Sequence, residues 1–562
     1  MPTVLRVIGV NQRLRESTLA DLIIETVPTW CSILIHFDSS RVEPRPFVES
    51  LESFFIEASD DEEIPLRSRL VTLPVLYGGE VGPDLEFVAK VNGVPLHEAI
   101  RRLSEGTHFV GMISFISGQA NCMWLEPEMV LATPKYETPR TMTPEGTVGL
   151  GGSSVALYSV PSPGGFQMVG RLPVPVYSPY PLLAEFELTP ILLRVGDRLR
   201  LRAIERTEYD DILQSVREGR YRFDIQEEDD LRLGAGADGR CNGSHRSKKP
   251  RFEHDSPGPR QARVHRVRHT ARWCRGSLPH RLANAMVGNQ AGAATLEMML
   301  IGASFEVLQT TTIAWTGPVT PVRVNGAEAP TGKPLQVSPG DTVSFGKAAV
   351  GCFGYVAFAG GLDGVTALGS RSTYIPGRLG GHFGRALRSG DVLKTVEAPH
   401  DAVPWSPPDR FVEWPRHSQV LRFVRGPQSE YFTERGYRTF TSEPYEVSPR
   451  SNRIAYRLRG PAPAEKERTA DTGSGATDIV EDGNLVGAIQ MAGGVEPICM
   501  GRDCPSTGAY AKIGCLISVD VCRLAQLQPG DVARFEEVSV EEAHRVAKDV
   551  RRMVAQFGRL GP

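Results

Sequence analysis

Three groups of side chains in this sequence could do chemistry. Arg371-Ser372-Thr373 sets a guanidinium beside two hydroxyls, a combination that can clamp a carboxylate or a phosphate. The same residues would equally serve a structural ion pair. Asn452-Arg453 is a second donor pair, and Gln490, Asp503, Thr507 and Tyr510 bring an amide, a carboxylate and two hydroxyls to the C-terminal stretch. Asp503, Tyr510 and Gln490 are the candidate catalytic groups, because they can hold a proton or polarise a carbonyl. Arg371, Ser372, Thr373, Asn452, Arg453 and Thr507 are the candidate substrate- or nucleotide-binding groups. Against this, Asp503 suits a turn carboxylate bonded to its own backbone, and Tyr510 a packed aromatic with a wet hydroxyl. Gly164-Gly165 lets the backbone approach a ligand closely or make a tight turn.

Other residue types point away from chemistry. The nine cysteines contain no C-x-x-C pair and are odd in number, which fits a reduced intracellular chain with structural thiols. Cys499 with Cys504 and Cys515 with Cys522 have no His cluster at zinc spacing, so no metal is expected. His108 and His382 stand alone and read as satisfied side chains. Asp84 follows Gly82-Pro83 and precedes an apolar helical pattern at Leu85, the position of a helix N-cap. No Gly-x-x-x-x-Gly-Lys-(Ser/Thr) phosphate loop and no Met-Lys-Met biotin-attachment motif is present.

These groups need a scaffold of more than one domain, since 562 residues exceed a single core. The 57 Gly and 43 Pro favour a turn-rich, strand-rich architecture. A net charge of -3 gives the whole molecule no reason to seek nucleic acid or membrane. The absence of a bilayer-length apolar run leaves a cytoplasmic location as the default. Strands are expected at Val71 to Tyr77, Val343 to Phe345, Gly354 to Ala359 and Leu421 to Val424, and helices at Leu85 to Val91, Asp210 to Glu218, Ser277 to Val287 and Val540 to Phe557. Gly196-Asp197 and Gly530-Asp531 each lead through a strand-like run into a helical one, which is what two related barrels in tandem would produce. Pro339-Gly340-Asp341 and Gly390-Asp391 repeat the turn alone.

Longer motifs carry a resemblance. Pro74-Val75-Leu76-Tyr77-Gly78-Gly79-Glu80, Pro144-Glu145-Gly146-Thr147-Val148-Gly149 and Ser162-Pro163-Gly164-Gly165-Phe166-Gln167 run through the first half. Leu282-Ala283-Asn284, Leu368-Gly369-Ser370-Arg371-Ser372-Thr373-Tyr374, Arg425-Gly426-Pro427-Gln428 and Thr507-Gly508-Ala509-Tyr510 run through the second. The chain resembles a fusion of the B-type and C-type subunits of 5-oxoprolinase, the carboxyltransferase family shared with urea amidolyase and urea carboxylase. The resemblance implies a β-rich α+β fold with tandem cyclophilin-like β-barrel modules. Its parts would be a small α/β N-terminal segment (1–70), a B-type cyclophilin-like barrel (71–224), a disordered basic linker (225–276) and C-type barrels (277–562). It implies an ATP-dependent component that acts on the lactam of 5-oxoproline with a partner hydrolase subunit. A biotin-dependent carboxyltransferase served by a separate biotinyl carrier is the alternative, and a non-catalytic remnant a third; homo-oligomerisation stays open. The chain departs from the family where Asp503-Cys504-Pro505-Ser506-Thr507-Gly508-Ala509-Tyr510-Ala511 replaces Asp-Arg-Gln-Thr-Thr-Gly-Gly-Tyr-Pro, and Ser117-Gly118-Gln119 replaces Pro-Gly-Phe.

From Arg240 to Arg275 the composition changes to eleven Lys or Arg against two Asp or Glu. A targeting signal would look like this. A shift of reading frame explains it better: one base later, codons permitted for Lys249 to Gln261 can encode Ser-Pro-Gly-Leu-Ser-Thr-Thr-Val-Gln-Asp-Leu-Gly-Arg, the opening strand that the larger subunits of this family carry and this chain lacks. Sequencing the transcript across Arg240 to Gly276 should therefore return that second frame. A transcript that confirms the basic segment removes the explanation.

Overall fold

The computed structural model describes residues 2–39, 41–60, 66–113, 116–136, 140–231, 277–318, 321–330, 332–367, 369–397, 417–466, 477–494 and 496–557. The basic segment from residue 232 to residue 276 lies outside them. Two compact units divide the chain, Met1–Val267 and Arg268–Pro562.

The first unit opens with helix α1 (Pro2–Glu16), the hairpin β1 (Ile23–Pro28) and β2 (Ile33–Phe37), and helix α2 (Pro44–Asp60). α1 lays Val4, Leu5 and Ile8 against Leu66 and Phe109 of the sheet that follows. That sheet contains β3 (Leu66–Tyr77), β4 (Thr107–Ile113), β5 (Ala120–Trp124), β7 (Thr147–Gly151), β8 (Ser154–Leu157), β10 (Gln167–Arg171) and β11 (Arg198–Ala203). They close into a ring in the order β3-β10-β7-β8-β5-β4-β11, with β11 parallel to β3. Period-two alternation supplies the interior: Val71, Leu73 and Val75 point in from β3, Val148 and Leu150 from β7, Leu199 and Leu201 from β11, all fully buried. Each such side chain contributes roughly 2 kcal/mol. A two-stranded ribbon, β6 (Arg140–Thr143) with β9 (Ser162–Gly164), stands outside the ring. The residues at the start of the expected linker instead form β12 (Asp224–Leu231), which pairs along β3; backbone pairing to an open strand edge overrode a polar composition. Helices α3 (Leu85–Val91), α4 (Leu96–Glu105) and α5 (Arg206–Arg217) fill the connections.

The second unit begins with α6 (Ser277–Met286) and two four-stranded sheets. One orders β13 (Leu296–Met299), β20 (Phe353–Phe358), β15 (Thr311–Thr316) and β18 (Leu335–Val337); the other orders β14 (Ser304–Glu306), β19 (Thr342–Phe345), β16 (Val322–Val324) and β17 (Ala327–Glu328). A second closed barrel follows, from β21 (Ser418–Arg425), β22 (Tyr445–Val447), β23 (Ala455–Arg459), β25 (Ala488–Ala492), β26 (Glu496–Met500), β28 (Lys512–Leu516) and β29 (Val532–Glu537). Its ring order is β21-β28-β25-β26-β23-β22-β29, and β29 runs parallel to β21. β24 (Asp478–Gly483) and β27 (Thr507–Tyr510) form an outside ribbon. Numbered within each barrel, both rings read first, sixth, fourth, fifth, third, second, seventh, so the tandem repeat expected from the Gly-Asp turns is an identity of topology. α7 (Glu434–Ser442), α8 (Asp520–Leu524) and α9 (Val540–Phe557) complete the unit.

The Gly-Asp turns have one construction. Gly196, Gly340, Gly390 and Gly530 take positive φ of 98°, 89°, 89° and 92°, which suits a residue without Cβ. The aspartate that follows accepts the backbone N–H three residues earlier, from Arg194, Ser338, Arg388 and Gln528 respectively, at 2.7 to 2.8 Å. In each barrel the second oxygen ties in the first strand. Arg69 donates to Asp197 Oδ1 at 2.9 Å, and His417 Nδ1 lies 2.7 Å from Asp531 Oδ1. Both partners precede the first residue paired in the parallel ladder, Leu70 and Ser418.

His108 and His280 are core histidines, held through Nε2 by the carbonyls of Leu103 (2.9 Å) and Ala293 (3.0 Å); Nδ1 of His108 is buried without a partner among the described residues. Burial pulls each pKa down to about 4. The folded rings stay neutral where the unfolded ones, titrating near their ordinary value of about 6.5, take up a proton. Their contribution is therefore present above that value and is lost as pH falls towards 4. Chemical denaturation at about pH 7.5 and about pH 5 should show a loss of about 2 kcal/mol per histidine. A stability that does not change over that interval would contradict the burial of both rings.

Candidate functional site

The expected site residues divide into separate places. Arg453 is committed to carboxylates: Nε donates to Asp503 Oδ2 at 2.8 Å and Nη1 to Glu297 Oε1, while the Tyr355 hydroxyl donates to Glu297 Oε2 at 2.8 Å. Burial opposes the Arg453 charge, and Glu297 and Asp503 more than offset it, so its pKa rises. This pair joins β13 to the second barrel, and Asp503 faces Arg453 rather than Gln490. Asn452 makes a turn, its Oδ1 accepting from the N–H groups of Ile454 and Ala455 at 2.8 and 3.2 Å. Arg371 is exposed, 3.7 Å from Asp363; Ser372 N–H donates to Ser370 Oγ at 3.1 Å, and Thr373 packs against Gly381, where a Cβ would come within 2.0 Å of Thr373 Oγ1. Tyr510 is 38 % exposed on the ribbon.

Gln490 and Thr507 both lie in a polar layer between the outer face of the second barrel and its ribbon, bonded to different partners. Along β25 Ile489 and Met491 face the core, so Gln490 faces outwards, opposite Lys512 across the β25–β28 pair. Lys512, only 3 % exposed, donates from Nζ to Asp482 Oδ2 at 3.0 Å. Gln428 bridges the two, accepting the Lys512 N–H at 3.1 Å and donating to Asp482 Oδ2 at 3.1 Å. Gln490 Nε2 donates to Asn484 Oδ1 at 3.4 Å, and Thr507 Oγ1 to Glu481 Oε1 at 2.5 Å. Gly508 admits the Gln490 amide, because a Cβ there would fall 2.2 Å from its nitrogen. Ala511 stands where the family has Pro and donates its N–H to Thr477 O at 2.8 Å, one more tie between ribbon and barrel.

Lys512, Asp482, Glu481 and Asn484 are not among the residues expected from the sequence. The available signal was a lysine opening the apolar strand Lys-Ile-Gly-Cys-Leu, where period-two alternation gives it a buried neighbour set. Its partner, thirty residues away in the chain, was not legible. The groups of the layer are of the kinds that complement a neutral polar ligand: an ammonium for a carbonyl oxygen, amides for an N–H and C=O edge, and carboxylates for a proton.

The first barrel has a corresponding layer. Asp84 occupies the N-terminal position of α3 without capping it; its side chain turns to the ribbon instead. It accepts the Tyr136 hydroxyl (2.6 Å), Arg140 Nη2 (2.9 Å) and the Met168 N–H (2.6 Å). Charge-assisted bonds to Arg140 outweigh a single helix cap. Gly164 lies under Tyr158, whose hydroxyl a Cβ would approach to 2.4 Å, and Gly165 O accepts the Tyr136 N–H at 2.7 Å.

Two outside-ribbon barrels in one chain define a class of protein, and known proteins supply it. A family model described as carboxyltransferase domain, subdomain C and D, matches residues 2–182, and one described as carboxyltransferase domain, subdomain A and B, matches residues 276–537. The chain belongs to this carboxyltransferase-domain family. It is 30 % identical over 277 residues to the C-type subunit of 5-oxoprolinase from Escherichia coli (strain K12), covering 49 % of this chain and 86 % of that protein. It is 32 % identical over 196 residues to the B-type subunit of 5-oxoprolinase from Bacillus subtilis (strain 168), covering 33 % and 78 %. It is 32 % identical over 287 residues to urea amidolyase of Lachancea kluyveri, covering 47 % of this chain but spanning 15 % of that protein's length. The crystal structure of TTHA0988 matches with a TM-score of 0.69 at 25 % identity, over 95 % of this chain and 97 % of that one. None of the described helices is long and apolar enough to cross a membrane.

Lys512→Met leaves Asp482 without its cation and should destabilise the chain by roughly 3 kcal/mol, read from the denaturation midpoint. Arg371→Ala, at an exposed position, should change it by no more than about 0.5 kcal/mol. Equal effects of the two would refute the buried pairing.

Proposed function

We propose that this chain is the combined B and C component of an ATP-dependent 5-oxoprolinase, acting on the lactam of 5-oxoproline together with a hydrolase-type partner subunit. The observation that carries the reading is the layer around Lys512. It offers a buried ammonium at one end and two carboxamides beside it, a set complementary to the C=O and N–H edge of a cyclic amide. The likeness to both of these 5-oxoprolinase subunits, over most of each, supports the same choice, whereas the likeness to urea amidolyase covers a small part of a longer protein.

Chemically, Lys512 Nζ would polarise the lactam carbonyl, and Gln490 and Asn484 would orient the ring through its amide edge. Attack of the carbonyl oxygen on the terminal phosphorus of ATP forms a C–O–P link, and the bridging P–O bond breaks with its electron pair leaving on ADP. On the partner subunit water would then add to the activated carbon, the ring C–N bond would break with its electron pair on a nitrogen that takes up a proton, and a second water would release phosphate from the resulting acyl phosphate. Asp482 would hold Lys512 Nζ in place through the phosphoryl transfer. Arg371, exposed beside Ser372 and Thr373, fits an approaching phosphate; Arg453 does not, because Asp503 and Glu297 already take it.

Carboxyl transfer from a biotinyl carrier is the second reading, favoured by the two carboxyltransferase-domain matches. ADP release by the full chain, with and without 5-oxoproline and with a 5-oxoprolinase hydrolase-type subunit added, separates the readings. The expected result is release that rises with 5-oxoproline and falls at least about a hundredfold in Lys512→Met. Carboxylation of urea from a biotinyl carrier, with no such release, would replace the proposal by the second reading; neither activity would leave a non-catalytic barrel protein.

A further inference from the structure

The shared strand order gives Lys512 and the residues around it counterparts in the first barrel. Gln490 stands opposite Lys512 beside a bulge, and Gly149 stands opposite Met168 beside a bulge. Four residues before Lys512 and Met168 lie Gly508 and Gly164, and the residues opposite these on the ribbons are Asp482 and Arg140. The loop after the first strand offers Gln428 to the Lys512 N–H and Asp84 to the Met168 N–H. The polarity is reversed: an acid is replaced by a base, an amide by an acid, and the ammonium by a thioether.

In this reversed layer the carboxylate is saturated and the cation is not. Asp84 takes three donors, as described above. Arg140 spends Nη2 on Asp84 and Tyr136, makes one long bond of 3.4 Å from Nη1 to Phe166 O, and stacks 4.1 Å from the Tyr136 ring centroid. Its Nε has no hydrogen-bond partner among the described residues, and its side chain is 27 % exposed. Two buried hydroxyls, Ser162 on the ribbon and Thr147 on the strand beneath, also lack a partner among the described residues. A buried hydroxyl left without a partner is costly. Lys135, 5.1 Å from the Phe166 ring centroid, adds a second cation at the edge. The capacity left over is therefore for an acceptor that carries negative charge.

From this we infer that the first barrel holds a binding site of its own for an oxyanion, centred on Arg140 and distinct from the Lys512 layer. The carboxylate of a lactam acid and a phosphate group share this chemistry. The inference concerns binding and stands apart from the proposed reaction.

Isothermal titration of the full chain with 5-oxoproline and, separately, with inorganic phosphate tests it. At least one of the two should bind, and Arg140→Gln should weaken that binding about tenfold or more, with Arg140→Lys recovering part of it. Ser162→Ala, which leaves the Asp84 contacts intact, should weaken it as well and decides the matter should Arg140→Gln fail to fold. Loss of 5-oxoproline binding identifies a carboxylate site, and loss of phosphate binding a phosphate site. The inference is overturned when neither probe binds, when both Arg140→Gln and Ser162→Ala titrate like the parent chain, or when the binding disappears with Lys512→Met instead.

Discussion

Closure of each barrel by a parallel pair, first strand against last, is the constraint on which the rest of this structure depends. Parallel neighbours cannot be joined by a hairpin, so the whole barrel sequence must intervene between them. Each junction is held by one aspartate, Asp197 or Asp531, which accepts a backbone N–H in its own turn and a side-chain donor from the start of the first strand. Asp197 and Asp531 are both buried. Removing either donor would leave a buried acceptor unmet and loosen the seam at which the ring closes.

The two-stranded ribbon in each barrel pairs within itself and covers the wall rather than extending it. That geometry creates the polar layers. Residues that alternate with the core on the fourth and sixth strands face outwards yet stay buried beneath the ribbon. Lys512 and Gln490 are placed this way in the second barrel. A lysine there is tolerable because Asp482 and Gln428 meet its charge. The layer is therefore fixed by packing from both sides.

The two barrels spend the same geometry differently. One pairs a buried ammonium with carboxamides, the other an arginine with a saturated aspartate and unsatisfied hydroxyls. Differences at a few outward-facing positions change the polar layer without disturbing the core, because the inward positions of the same strands stay apolar: Val148, Leu150 and Val169 in one barrel, Ile489, Met491 and Ile513 in the other. The Arg453–Asp503–Glu297 group serves another end within the second unit. It fastens the sheet containing β13 to the barrel, which is why residues that look catalytic in sequence are occupied in the fold.

Much of this was determined by the sequence alone. Period-two runs gave the strands at Val71 to Tyr77 and Leu421 to Val424, amphipathic spacing gave α3 and α9, and the Gly-Asp turns announced two copies of one unit. These are local signals, carried by neighbours in the chain. The candidate site was legible only in part: of the expected residues, Gln490 and Thr507 lie in the polar layer, while Asp503, Arg453 and Asn452 are tied into ion pairs or turns. Lys512 and Asp482, and Asp84 and Arg140, became partners only in the tertiary structure, because a ribbon folding back over a closed barrel sets distant residues opposite one another. Which polar residue is buried and paired is decided by that covering, and no spacing along the chain encodes it.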